Sequence, residues 1–94
     1  MVLEYADVQN FALTEKVSEG VTSLQVSGLA FHSALAVERM VTEVQADTLC
    51  MKLVLVPARR ELSGSFNYTV RVPETVRCVV FGNRRHVVWR STGR

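Results

Sequence analysis

The chain has 94 residues, 48% of them apolar and 21% charged, which suits one modest hydrophobic core and excludes a disordered chain. No run approaches the roughly 18 apolar residues of a spanning helix, so a soluble globular domain over residues 1–94 is expected, with no membrane span. The net charge of +2 hides a division: up to Val56 there are three bases against seven acids, and beyond it eight arginines against two acids.

The first residues, Met-Val-Leu-Glu-Tyr-Ala-Asp, carry neither the basic nor the apolar stretch of a secretory leader. The compartment stays open on these grounds. The expectation is periplasmic or secreted if a leader has been removed, and cytoplasmic otherwise; two cysteines in a small β-rich chain fit either.

Residues 2–19 read as an edge strand, from the loose alternation of Leu3, Tyr5, Phe11 and Leu13. Glu19-Gly20 is a turn signal. Residues 21–31 follow as a strand in which Leu24 and Val26 alternate with Ser23, Gln25 and Ser27, and Gly28 marks a bulge or a close backbone approach. Residues 33–45 carry two patterns. Val37, Met40, Val41 and Val44 fall at helical spacing behind Ser33 as a cap, which would give an α+β fold with one helix near residues 34–46. The β-branched content, with Ala46-Asp47 before a strongly strand-like stretch, favours a hairpin instead.

In residues 48–56, Leu49, Met51, Leu53 and Leu55 share one face while Cys50 and Lys52 take the other, the pattern of a central strand ended by Pro57. Residues 57–64 form a polar connection. Phe66, Tyr68, Val70 and Val72 then alternate with Asn67, Thr69 and Arg71 up to a corner at Pro73. Residues 76–81 and 86–90 make a hairpin about Gly82-Asn83. A two-residue turn there pairs Phe81 with Arg84 and buries Val76, Cys78 and Val80 with Val87 and Trp89; a three-residue loop groups Val79 and Phe81 with them instead. The first register is preferred because it separates charge from aliphatic side chains more cleanly.

Seven short strands separated by turn signals predict an all-β, immunoglobulin-like antiparallel β-sandwich. The order Cys, Cys, Trp departs from the Cys, Trp, Cys order of true immunoglobulin domains, so the similarity is one of architecture. Trp89 is expected as a core anchor. Cys50 lies on the Lys52 face, so Cys50 and Cys78 are expected as free thiols, Cys78 serving as a small core residue.

No motif points to catalysis. A thiol nucleophile would need Cys50 or Cys78 beside His32 or His86, and no local signature supports that pairing. The cysteine and histidine spacings are not those of a zinc site, and the glycines form no phosphate-cradling loop, so neither metal nor cofactor is expected. The expectation is a non-catalytic binding or structural module, of an exported or surface assembly, that meets an unidentified protein partner through a sheet face or free edge. The alternative is polyanion or nucleic-acid binding through the arginine-rich C-terminal region, with Arg71, Arg77, Arg84, Arg90 and Phe81 as candidate anion- or partner-binding residues. Even without a dedicated site, that charge predicts weak polyanion binding at low salt.

Overall fold

The period-two alternation of the sequence becomes seven strands in the computed structural model, which describes residues 1–30, 34–58 and 63–91. After a 3-10 turn at Tyr5–Asp7 come β1 (Val8–Ser18), β2 (Val21–Ala30), β3 (Leu35–Gln45), β4 (Thr48–Pro57), β5 (Ser65–Val72), β6 (Cys78–Phe81) and β7 (His86–Arg90). They form a three-stranded sheet of order β1-β2-β5 and a four-stranded sheet of order β3-β4-β6-β7. The expected all-β sandwich is what the chain builds. Phe31, His32 and Ser33, and residues 59–62 of the polar connection, lie outside the described residues.

The core is formed by the side chains that alternation turns inward: Leu24 and Val26 from β2, Leu49, Met51, Leu53 and Leu55 from β4, Phe66, Val70 and Val72 from β5, and Val79 and Phe81 from β6. No buried side-chain nitrogen or oxygen among the described residues lacks a hydrogen-bond partner, so the interior carries no desolvation penalty of that kind. Gly28 is a close approach rather than a bulge: a Cβ there would lie 2.7 Å from Val8 Cγ1 and 2.9 Å from Phe66 Cζ. The bulge is in the neighbouring strand, between Gln9 and Ala12, where Asn10 takes φ 56°.

The helical alternative over residues 34–46 is not realised. β3 pairs with β4 in a register that shifts between Val37 and Arg39, and this bulge is what imitated a helix. One extra residue separates inward-facing Val37, opposite Leu55, from inward-facing Met40, opposite Leu53, so two strand residues stand three apart in sequence. The predicted hairpin at Ala46-Asp47 is present, with Gln45 opposite Thr48 and Ala46 at φ 55°.

Two expectations are corrected in the C-terminal third. The sandwich is not wholly antiparallel, because β4 and β6 run parallel, Leu49 opposite Val79 and Met51 opposite Phe81. Parallel neighbours need a crossover, and here the chain crosses to the other sheet as β5 before returning. The β6–β7 hairpin has neither anticipated turn. Phe81 pairs with His86 and Val79 with Trp89, with a register shift before Val80 opposite Val87. A four-residue loop, 82–85, therefore joins the strands, with Gly82 at φ 79° and Arg85 at φ 57°. As a result Val79 and Phe81 face the core, each 0% exposed, and Cys78 and Val80 face outward. Val76 is buried at 3% as expected, in the corner before β6.

The N-terminal segment completes the four-stranded sheet. Gly82 N–H donates to Met51 O at 2.9 Å, the last bond on the β6 side of β4; beyond it Leu3 N–H donates to Leu53 O at 3.0 Å and Leu55 N–H to Met1 O at 2.7 Å. Residues 1–3 thus continue the place that β6 leaves, and Leu3 is sealed in the core at 1% exposure.

Candidate functional site

The register of each strand assigns its side chains to the core or to solvent, and the two outward faces that result differ in chemistry. On the three-stranded sheet the outward set is Ala12, Thr14 and Lys16 of β1, Val21, Ser23, Gln25, Ser27 and Leu29 of β2, and Ser65, Asn67, Thr69 and Arg71 of β5. Most are polar, and Gln25 Nε2 donates to Asn67 Oδ1 at 3.3 Å; Leu29, 37% exposed, is the large apolar exception. That is an ordinary solvated face.

The outward face of the four-stranded sheet is largely apolar. β4 presents Cys50, Lys52, Val54 and Val56, β6 presents Cys78 and Val80, and Val41 of β3 and Val87 of β7 flank them. Cys50 at 4% and Val80 at 3% exposure are buried, yet neither belongs to the inner core cluster. Their cover includes the arginine of the β6–β7 loop: the Arg85 guanidinium reaches back over the sheet to within 3.1 Å of Cys50 Sγ. Arg85 as a whole is exposed, and a long basic side chain laid along a sheet can shield apolar surface with its aliphatic stem. Val41 and Val87 remain 42% and 39% exposed.

Charge surrounds this face unevenly. Lys52, Arg85 and Arg90 are its cations, Arg90 lying opposite Cys78. Glu43, opposite Cys50, is the acid among them, and Arg39 at the β3 margin is engaged by its neighbour Glu38. The arrangement, an apolar centre with a mainly basic rim, can dock a complementary surface. Among the described residues no group of three His, Cys, Asp or Glu gathers where a metal ion could sit.

The loop that supplies Arg85 is anchored by the N-terminal segment. Glu4 accepts from Asn83 N–H through Oε2 at 3.0 Å and from Arg84 N–H through Oε1 at 3.1 Å. Tyr5 stacks on His86 with ring centroids 3.9 Å apart and planes at 9°. Phe11 and Phe81 meet Tyr5 edge-on at 5.1 and 6.3 Å. A groove lined by Glu4, Tyr5, Ala6, Arg84 and His86 lies beside this anchor.

The structure does not gather the five candidate residues into one site. Phe81 is fully buried, so it offers no ring to an incoming base, and it leaves the candidate set. Arg71 is on the outward face of the other sheet. Arg77 and Arg90 are neighbours at one end of the β6–β7 hairpin, where Ser91 N–H donates to Arg77 O at 2.8 Å. Arg84 lies in the loop at the opposite end, a strand of four residues away, on the order of 13 Å. Tyr68, between Asn67 and Thr69, packs half-buried against the core. Trp89 is likewise half-buried, and its Nε1 donates to Glu15 Oε1 at 2.9 Å across the gap between sheets.

The residues that sequence reasoning passed over are Cys50, Val80, Val54 and Val87 as an outward set. The signal for them was the unbroken apolar run Cys78-Val79-Val80-Phe81, since a strand covered on both sides loses its alternation. No family model, curated protein or solved structure matches this chain.

Proposed function

We propose that the protein is a non-catalytic binding module that docks a protein partner on the outward face of its four-stranded sheet. One observation carries this reading: of two outward faces built by the same chain, one is mostly polar, with Leu29 exposed at one end, and the other is largely apolar with a mainly basic rim. A purely structural sandwich has no need of that asymmetry. Contiguous apolar surface is characteristic of interaction sites, and side chains near the centre of such a patch tend to dominate binding. Charge complementarity defines the partner, an apolar surface bordered by carboxylates that meet Lys52, Arg85 and Arg90. The polyanion reading is less well supported, because Arg71, Arg77, Arg84 and Arg90 are dispersed over two sheets and two ends of a hairpin.

The test is photo-crosslinking in the cell of origin. A photoreactive residue at Val87 or Val54 should give one reproducible protein adduct, and the same residue at Gln25 or Thr69 should give none. An adduct obtained only from Gln25 or Thr69, or a nucleic-acid adduct from either face, would contradict the proposal.

A further inference from the structure

Four strands of the described residues stand at sheet edges: β1 and β5 in one sheet, β3 and β7 in the other. Three are poorly made for pairing with themselves. β1 carries the bulge at Asn10, a device that turns an edge away from neighbours. β5 and β7 contain arginine and no acid, so a second copy would meet like charge. β3 differs. Val37 N–H is already taken by Ser63 O at 3.0 Å, but beyond it residues 39–45 are exposed apart from half-buried Met40.

The direction of the free main-chain groups follows from the turn. In a two-residue hairpin the flanking pair, here Gln45 and Thr48, is hydrogen-bonded, and bonding alternates from there along the strand. Glu43 and Val41 therefore address β4, and the N–H and C=O groups of Met40, Thr42 and Val44 point to the open edge. We propose that β3 is a self-pairing edge: two copies of the chain associate antiparallel about a two-fold axis at Val41, joining their four-stranded sheets into one of eight strands.

The side chains fit this register and no other edge offers a comparable one. With Val41 opposite Val41, Arg39 of each copy stands opposite Glu43 of the other, and the exchange is repeated by symmetry. These are non-hydrogen-bonded positions, where facing side chains come closest. Met40 and Thr42 exchange main-chain hydrogen bonds across the same axis. The apolar contact covers Val41, 42% exposed in the single chain. Arg39 exchanges its present partner Glu38, in a pair whose side chains are 60% and 34% exposed, for Glu43 of the second copy; such exposed pairs hold little energy, so the exchange costs little. The inference does not rest on the docking proposal.

Sedimentation equilibrium tests it, with disulfide trapping as the second arm. The protein should show a monomer–dimer equilibrium. Glu43→Arg should weaken the dimer roughly tenfold or more, by turning two attractions into repulsions, with an unchanged melting temperature, and the double variant Arg39→Glu, Glu43→Arg should restore it. In a background with Cys50 and Cys78 replaced by alanine, Val41→Cys should give a disulfide-linked dimer and Thr42→Cys should not. A protein monomeric throughout, a dimer indifferent to the charge reversal, or trapping at Thr42 in place of Val41 would overturn the proposal.

Discussion

The carboxylate of Glu4 accepts the main-chain N–H of Arg84 at 3.1 Å, across 80 positions of sequence, while its other oxygen takes the N–H of Asn83. This contact fixes the loop whose last residue, Arg85, covers Cys50. Glu4→Ala should cost about 1–2 kcal/mol, the loss of two charge-assisted bonds to partly exposed main chain. It should also speed amide exchange at Asn83 and Arg84 well beyond the change elsewhere. Gly82→Ala should be worse than glycine-to-alanine at an ordinary turn, because Gly82 sits at φ 79° and a Cβ there would collide with the Glu4 carboxylate. Thermal melts of the two variants check both statements.

Phe81 and Trp89 should change places relative to what composition suggests. Phe81 is fully buried, so Phe81→Ala should cost roughly 3–5 kcal/mol. Trp89 is half-buried, and Trp89→Phe keeps most of its packing while losing the bond to Glu15, a change of about 0.5–1.5 kcal/mol. Denaturant midpoints rank them; an equal or larger loss for Trp89→Phe would show that the core is centred elsewhere.

Both cysteines are free. Parallel pairing sets Thr48 opposite Cys78 and Cys50 opposite Val80, leaving the two thiols diagonal on one face, with Cα atoms roughly 8 Å apart from strand spacing and rise. That exceeds the reach of a disulfide, about 7 Å. Cys78, half-exposed, should alkylate first, and Cys50, beneath Arg85, only after local opening. Mass spectrometry over time should show one adduct and then two, without reductant; equal rates at both would mean that Arg85 does not cover Cys50.

The arginines predict a salt dependence. Scattered over two sheets, they should bind heparin or single-stranded nucleic acid weakly at low ionic strength and release it near 0.15 M salt, where the Debye length is about 8 Å. Replacing Arg77, Arg84 and Arg90 by serine should weaken that binding without altering sequence preference. Micromolar affinity for one oligonucleotide over others at that salt would reveal a dedicated site instead.

The strands were legible in the sequence because most alternate cleanly, as Leu49, Met51, Leu53 and Leu55 do against Cys50 and Lys52. What misled is equally specific. The bulge at Glu38 spaced Val37 and Met40 like helix neighbours. The β6–β7 register was hidden because Cys78-Val79-Val80-Phe81 is apolar at every position, so alternation could not say which side faces the core. Glu4 holding a loop more than seventy residues away left no local trace, and with the loop length unknown the outward set of Cys50, Val80 and Val87 could not be assembled.

The docking face is tested most directly by placing one new charge on each outward face and titrating the partner that photo-crosslinking at Val87 captures. Val87→Glu and Thr69→Glu both alter exposed positions, so both proteins should fold with wild-type melting temperatures. Val87→Glu should weaken binding roughly tenfold or more, while Thr69→Glu should leave it within about twofold, a surface change of the ordinary kind. Undiminished affinity in Val87→Glu, with loss in Thr69→Glu, would contradict the docking proposal.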